Sequence, residues 1–411
     1  MLQLVEVGKR LLQSYEKVVG PEIIEEIRQV AKGLKGLKVV QISATPYGGG
    51  VSELLRSLIP LEQDLGLDVD WRVISGDERF FRVTKEFHNA LQGGNYRLTP
   101  EDKETYLAYN IHNAHALDKK YDVYIVHDPQ PAAMLHFKGR NGSKWIWRCH
   151  IDTSEPHKDV WNFLHPFIDD YDKIIFTMEK FAPPDLLDGK RKFIAPAIDP
   201  LSPKNFPLSN EIAQNIISWV GVPADSHLII QVSRFDPWKD PLGVIKVYHK
   251  VKKEIPKLQL ALIGSMALDD PQGWDVYSQI MKKVAGDPDL FLFTNLTGVS
   301  NVEVNAFQRL ANIVIQKSIR EGFGLVVSEA LWKGTPVVAG RAGGIPMQMD
   351  RGGFLIDNID QCVERVIYLL NNPDVAKQMG EHGRSLVKKH FLLTRLLKDE
   401  LELLKEVIAL A

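Results

Sequence analysis

Ser318-Ile-Arg-Glu321-Gly-Phe-Gly324-Leu-Val-Val-Ser-Glu329-Ala-Leu-Trp-Lys-Gly334-Thr-Pro-Val-Val338 is the stretch of this 411-residue chain that decides its fold. An apolar strand is expected over residues 313–315, just before it. Gly322 and Gly324 let the backbone approach a ligand with no Cβ in the way, and Phe323 stands between them. A helix is expected to start near Leu325, and the N–H groups of Leu325 and Val326 at its positive end suit an anion such as a diphosphate. Glu329 falls about one turn into that helix, where a carboxylate can accept from vicinal hydroxyls such as those of a ribose. Residues 336–339 read as the next strand. The unit is therefore βαβ, and its ligand belongs at the carboxyl ends of the strands. Strand, glycine loop, helix start and two carboxylates eight positions apart together describe a site for a nucleoside diphosphate joined to a sugar. Two surface glutamates beside an ordinary helix start, or the acid and nucleophile of a glycosidase, are the other readings. Neither accounts for the glycine loop and the helix start together.

The same alternation of short apolar strands and helices runs outward in both directions. Upstream, strands are expected at residues 37–43, 70–74, 121–126, 144–149 and 173–177, with helices over 54–65, 79–91 and 100–117. Residues 2–35 carry helical periodicity, with Pro21 opening the second helix. Between residues 181 and 207 prolines fall at 183, 184, 196, 200, 203 and 207, too dense for a helix or a central strand. That stretch reads as the passage between domains. The pattern then restarts with strands at 228–232, 258–263 and 290–293 and helices at 242–254, 275–285, 302–311 and 361–370. From residue 375 the chain is helical to its end, apart from a break near 389–394. Strands alternating with helices in this way imply a parallel sheet covered on both faces.

Composition narrows the class. A chain of 411 residues suits two domains of about 200 residues each. The formal net charge is −2, which offers none of the basic surface a nucleic-acid partner needs. Two cysteines, Cys149 and Cys362, exclude a disulfide framework. No run of 18 apolar residues spans a membrane, and the charged N-terminus does not read as a signal peptide. The expectation is a cytoplasmic soluble enzyme whose partners are small molecules, with a homodimer compatible. Neither a Walker loop nor a G-x-G-x-x-G signature occurs, which argues against a kinase or a dehydrogenase.

Other residues carry chemistry. Arg234 and Lys239 stand five apart on the loop after strand 228–232, where a guanidinium and an ammonium suit a diphosphate leaving group. Gly48, Gly49 and Gly50 follow strand 37–43 and precede a helix, so the backbone there can approach a phosphate or a sugar ring. His150 and Asp152 stand at the end of strand 144–149, and His127, Asp128 and Gln130 after strand 121–126, where polar groups can meet an acceptor's hydroxyls. The tryptophans, Trp219 among them, read as core or cleft wall. No metal ligands are assigned, and no cofactor is required by the fold.

The 318–338 stretch resembles the E-x7-E motif of the retaining family 4 glycosyltransferases, which use nucleotide sugars and have the GT-B fold. Residues between the two acids and after them match at most positions, and Arg234 and Lys239 match the family's Arg and Lys. The resemblance implies two Rossmann-like domains facing each other across a cleft: residues 1–200 for the acceptor, 201–390 for the donor, and 391–411 as a helix crossing back onto the first domain. It implies that Glu321 contacts the transferred sugar, that His150 lies close to it, and that the turn at Ser300 touches the base. Gly49 and Gly50 would close over the donor phosphates. Residues 71–93 and the His-Asp-Pro-Gln-Pro string at 127–131 are similar to the trehalose-forming members, which join a nucleotide-activated glucose to free glucose. The donor is then a substrate, and Mg2+ is expected only as counter-ion of its diphosphate. A family 4 enzyme with another acceptor, an epimerase of similar fold or a sugar-nucleotide sensor stay open. One departure stands out: only residues 347–352 separate Gly343-Gly344-Ile345-Pro346 from Gly353-Phe354-Leu355, a shorter connection than the family usually has.

Overall fold

The computed structural model describes residues 1–47, 49–223, 225–266 and 271–409. They form two compact units, Met1–Pro196 with Leu393–Ala411, and Ala197–Leu392. The boundary at Pro196 lies inside the proline-dense stretch.

The first unit holds seven strands: β1 Gln3–Leu4, β2 Lys38–Ser43, β3 Asp68–Val73, β4 Val123–His127, β5 Lys144–Arg148, β6 Lys173–Phe176 and β7 Arg191–Phe193, in the order β1-β3-β2-β4-β5-β6-β7. All pairs are parallel except β1 with β3. The inner strands are Val- and Ile-rich and buried on both sides, as helices on both faces require. In the second unit β8 His227–Val232, β9 Leu258–Gly264, β10 Leu290–Thr294, β11 Ile313–Gln316, β12 Val337–Gly340 and β13 Gly353–Ile356 run in the order β10-β9-β8-β11-β12-β13, all parallel. This is the doubly wound order, and the chain reverses its direction of winding between β8 and β11. In the first unit the reversal lies between β2 and β4. At such a reversal, the carboxyl edge of each sheet is where folds of this kind place a ligand. Both units thus have the architecture expected of GT-B, two mixed α/β layers built on parallel sheets.

Several expectations are corrected. Residues 2–11 are not helical: Gln3–Leu4 pairs with Val73 and Arg72, and the N–H of Leu2 and of Val5 donate to Ala116 and Trp71 carbonyls. So short a segment has no period of its own, and the open edge of β3 captures it. The proline-dense stretch contains an edge strand, β7. Helices Lys158–Asp169 and Asn210–Trp219 and strand β13 went unassigned in the sequence reading. Trp219 is 91% exposed and so belongs to neither core nor cleft wall.

The helix Leu393–Ala409 packs within the first unit, against helices Pro21–Ala31 and Gly50–Asp64. It buries Leu393, Leu396, Leu397, Leu401, Leu404 and Val407, spaced for one apolar face. In the second unit the helix Pro373–His390 lies on the helix Leu325–Trp332. Gly380 makes that approach possible, since a Cβ there would sit 1.8 Å from the Gly334 carbonyl oxygen. Gly380→Ala should therefore lower the unfolding free energy by about 1–3 kcal/mol, the usual cost of overpacking. Gly33→Ala, whose Cβ would meet only the Lys405 stem at 3.9 Å, should stay within about 0.5 kcal/mol. Equal urea midpoints for the two variants would show that the helix pair yields instead.

Candidate active site

In the second unit the loops leaving β8 and β11 lie side by side because their strands are neighbours. They are tied where the Ile319 N–H donates to the Trp238 carbonyl at 2.7 Å, and the Arg320 guanidinium lies 5.6 Å from the Trp238 ring centre. Asp236 caps the turn Pro237–Lys239 through the Trp238 N–H at 2.9 Å. That turn aims Lys239 at Glu321: the ammonium donates to Oε2 at 2.7 Å, and the Ser318 hydroxyl donates to the same oxygen at 3.1 Å. Both side chains of the ion pair are mostly buried, where a charge pair is screened far less than on the surface. Arg234 is half exposed, with its guanidinium 4.0 Å from the Asp236 carboxylate.

Gly324 adopts φ 83°, the left-handed region that favours glycine, and caps the helix Leu325–Trp332. The turn at Gly343 and Gly344 braces the loop from behind. Gly344 donates to the Gly322 carbonyl at 2.8 Å, and a Cβ at Gly343 would stand 1.7 Å from the Glu321 carbonyl oxygen. Gln348, wholly buried, locks the arrangement. Its Oε1 accepts from the Ser328 N–H and hydroxyl at 3.1 and 2.6 Å, while its Nε2 donates to the carbonyls of Phe323 and Gly344 at 2.5 and 3.3 Å. Gln348 lies in the shortened connection, and nothing in its local sequence marks it.

Glu329 is 3% exposed. Its Oε2 accepts from Gln308 at 3.2 Å, and the Lys204 ammonium stands 3.5 Å from Oε1. A ribose hydroxyl at Oε1 would share that oxygen with Lys204. Lys333 donates to the main-chain carbonyl of Glu329 at 3.0 Å and to Asn205 Oδ1 at 2.8 Å. Burial brings the Lys333 amine down to about 7, with the Glu329 charge opposing that fall. Ser300 caps the helix Asn301–Leu310, and both its N–H and its hydroxyl donate to Glu303, at 2.8 and 2.7 Å. Contact of its N–H with a base therefore requires that cap to open.

In the first unit Gly49 caps the helix Gly50–Asp64, and Gly48 lies outside the described residues. Gly49 has φ −167°, which any residue adopts, and a Cβ there would meet no described atom within 4 Å. Neither packing against a described residue nor backbone angle demands glycine here. At the end of β4, Asp128 has φ 63°, an uncommon conformation for a residue with a Cβ and one met at functional sites. Three bonds hold it there: its N–H to the Arg148 carbonyl at 2.8 Å, the His150 N–H to its Oδ1 at 2.8 Å, and the Trp147 indole to its carbonyl at 2.8 Å. Burial raises the Asp128 carboxyl to about 7. Gln130 has a buried Oε1 with no hydrogen-bond partner among the described residues.

His127 does not face an acceptor. It is 1% exposed, and both ring nitrogens are used, Nδ1 by His150 Nε2 at 2.9 Å and Nε2 by Gln41 Oε1 at 2.8 Å. β4 is buried on both faces up to this last residue, which residue type alone does not reveal. Gln41 in turn donates to Glu400 Oε1 at 2.6 Å, and Arg148 donates to Glu400 Oε2 at 2.9 Å. His150 is half buried, and burial, with Arg148 and His127 nearby, holds its imidazole well below the usual range. Asp152 forms a local turn, accepting from the Ser154 N–H and hydroxyl at 3.0 and 2.6 Å. The sequence reading brought together Asp128, His127 and His150; it missed Gln41, Arg148 and Glu400.

Three Asp-x-Asp pairs also escaped the sequence reading. Asp68 and Asp70 pair with Lys119, Asp170 lies near His136 and Asp172 pairs with Arg140, and Asp287 and Asp289 pair with Lys252. Among the described residues no three His, Cys, Asp or Glu side chains converge as a metal site requires, and no helix is long and apolar enough to cross a membrane.

Residues 41–183 match the family described as trehalose synthase, N-terminal domain, and residues 214–386 match glycosyl transferases group 1. The trehalose synthase of Rubrobacter xylanophilus is 51% identical over 99% of this chain and 100% of its own length. The chain belongs to the trehalose synthase family. That of Pyrococcus horikoshii is 44% identical over 97% of both chains. Among solved structures, the UDP-forming α,α-trehalose-phosphate synthase of Burkholderia vietnamiensis superposes with a TM-score of 0.71 at 15% identity, over 91% of this chain and 98% of that one. That likeness shows the fold, GT-B. This member of the trehalose synthase family is a glycosyltransferase.

Two measurements probe the framework around the glycine loop of the second unit. Gln348→Leu leaves the Ser328 N–H and the Phe323 carbonyl buried without partners, at about 1–3 kcal/mol for each group. Urea unfolding should show that loss, and an unchanged midpoint would mean that water takes over the clamp. Lys333 gives a pH signature. Between about 7 and its ordinary 10.5 the unfolded chain holds a proton that the folded chain has released. Stability from this group therefore rises with pH across that window. Lys333→Met should flatten the rise in thermal unfolding followed from pH 7 upward; an identical slope in both proteins would place the lysine's titration elsewhere.

Proposed function

We propose that this trehalose synthase family member moves glucose from a nucleoside diphosphate glucose to free glucose, forming trehalose with retention at the donor's anomeric carbon. The observation that carries the reading is the Lys239–Glu321 contact of 2.7 Å at the winding reversal of the second unit, beside the start of the helix Leu325–Trp332. One cation and one anion at that point suit two parts of one donor. Lys239 and Arg234, with the N–H groups of Leu325 and Val326, take the diphosphate. Glu321 takes the hydroxyls of the transferred glucose, and Glu329 those of the ribose. Gly49 and Gly50 of the first unit are the second phosphate-facing loop. Asp128, Gln130 and His150 supply donors and acceptors to sugar hydroxyls, and Asp152 can do so through its second oxygen. Any Mg2+ travels with the diphosphate as its counter-ion.

The bond between the anomeric carbon and the phosphate oxygen breaks with its electron pair going to the diphosphate, whose growing charge Lys239 and Arg234 neutralise. The acceptor's anomeric hydroxyl attacks from the same face, and its proton passes to the departing phosphate oxygen. No side-chain nucleophile is needed, and configuration is retained. By the resemblance, the reaction runs in either direction, with a nucleoside diphosphate taking glucose from trehalose in reverse.

Incubation with several glucose nucleotides, with and without glucose, and identification of the product by NMR tests the reading. The expected product is the α,α-1,1-linked disaccharide, formed only when glucose is present. Formation with glucose 6-phosphate but not with glucose would overturn the acceptor assignment and spare the donor site. Lys239→Ala should lower the single-turnover rate by about tenfold to a hundredfold, the worth of one charged hydrogen bond, and weaken donor binding less. Equal losses in rate and affinity would reduce Lys239 to a binding group.

A further inference from the structure

Five buried or half-buried polar side chains of the first unit form one continuous chain: Arg148, Glu400, Gln41, His127 and His150. Each link has a direction, and the directions follow from which groups can donate. Glu400, held at Oε2 by the Arg148 guanidinium, is a carboxylate that only accepts. The Gln41 atom 2.6 Å from Glu400 Oε1 must therefore be the amide nitrogen, which turns the Gln41 oxygen toward His127 at 2.8 Å. His127 Nε2 then has to carry the proton. Burial keeps the His127 imidazole neutral, down to about 3, so its Nδ1 is a bare lone pair and accepts from His150 Nε2 at 2.9 Å. The near-parallel rings, 17° apart, allow that bond. His150 is likewise neutral, and with its proton on Nε2 its Nδ1 is left as an acceptor.

We propose that Glu400 and Gln41 are positioning residues for the reaction: through His127 they hold His150 in the tautomer that carries its proton on Nε2 and offers Nδ1 to a hydroxyl of the sugar. The charge at one end of the chain thus sets the chemistry at the other. The other titratable groups packed around it are Glu62, Asp128, Asp399 and Arg395. Glu62 is buried beside Glu400 and Gln41; burial, reinforced by the Glu400 charge, holds it well above the usual carboxylate range, against a hydrogen bond with Gln41 that draws on the second hydrogen of the same amide nitrogen. A glutamate on the last helix thereby acts on a histidine at the end of β5.

The substitution Glu400→Gln has the same shape and reverses the chain. Arg148 still requires an oxygen at the Oε2 position, so the new amide nitrogen falls opposite Gln41. Gln41 must then present its oxygen to it and its nitrogen to His127 Nε2. His127 moves its proton to Nδ1 and donates to His150 Nε2, leaving His150 with its proton on Nδ1 as well. Two-dimensional 15N NMR of histidine-labelled full-length protein distinguishes the two tautomers by the shifts of the ring nitrogens, with assignments from His127→Gln and His150→Gln. In the parent protein both histidines should be protonated on Nε2, and in Glu400→Gln both on Nδ1. The role in the reaction rests on the proposed function, in which His150 meets a sugar. There kcat should fall about tenfold, as for one lost hydrogen bond, with the donor KM little changed. Parent tautomers other than Nε2–H, or tautomers unmoved by Glu400→Gln, would overturn the relay. Switched tautomers with unchanged kcat would overturn the positioning role. A parent protein that makes no trehalose would defeat the proposed function and leave the NMR result to stand on its own. If Glu400→Gln does not fold, Gln41→Met keeps the Arg148–Glu400 pair and cuts the chain in the middle. His127 should then populate both tautomers; a single Nε2–H form in that variant would also overturn the relay.

Discussion

A strand in a parallel sheet cannot turn back to its neighbour directly; the chain must leave at the carboxyl edge and return through a crossover before the next strand begins. Where the order of strands reverses, two such exits diverge and no crossover fills the space between them. In the second unit the exits are those of β8 and β11, and they deliver Arg234, Lys239, Glu321 and the glycine loop. In the first unit they are those of β2 and β4, and they deliver Gly49, Asp128 and Gln130, with His150 from β5 beside them. Chemistry therefore gathers at one edge of each sheet while the buried Val- and Ile-rich strands carry almost none.

The residues that touch ligand in this reading are few, and each is held by others that do not. Glu321 is set by Ser318 and Lys239, and its backbone by the bare faces of Gly343 and Gly344. The glycine loop is set by Gln348, which answers four backbone and hydroxyl groups with one amide. His150 is set by a chain that ends on a buried ion pair. Removing Arg148 and Glu400 from water is costly, so the pair is poorly explained as a source of stability. What it supplies is direction: an amide reads the same either way round until a charge decides which end faces it.

Legibility followed the range of the interactions. Strand β11, the helix Leu325–Trp332 and strand β12 were readable to within a residue, since apolar runs, glycines and a proline mark them locally. The short segment Gln3–Leu4 was misread because its structure comes from the open edge of β3, far along the chain. Trp219 was misread because an aromatic side chain is usually covered, and composition does not report exposure. His127 was placed at the right strand end but read as open to a ligand. β4 is covered on both faces to its last residue, and a side chain's polarity carries no information about that.

What the sequence determined by itself was the alternation of strands and helices, the doubly wound class, and the local strand, glycine loop and helix that carry Glu321 and Glu329. Those features depend on residue type and spacing over a few turns of chain. Tertiary structure alone decided the rest. It set Gln41 against Glu400, residues 359 apart in sequence, Arg148 against the same carboxylate, Gln348 beneath the glycine loop, and Lys204 at Glu329. Hydrogen bonds between distant segments leave no periodicity behind, because each partner needs only to be polar and in place, and its place is fixed by the packing of every element between them.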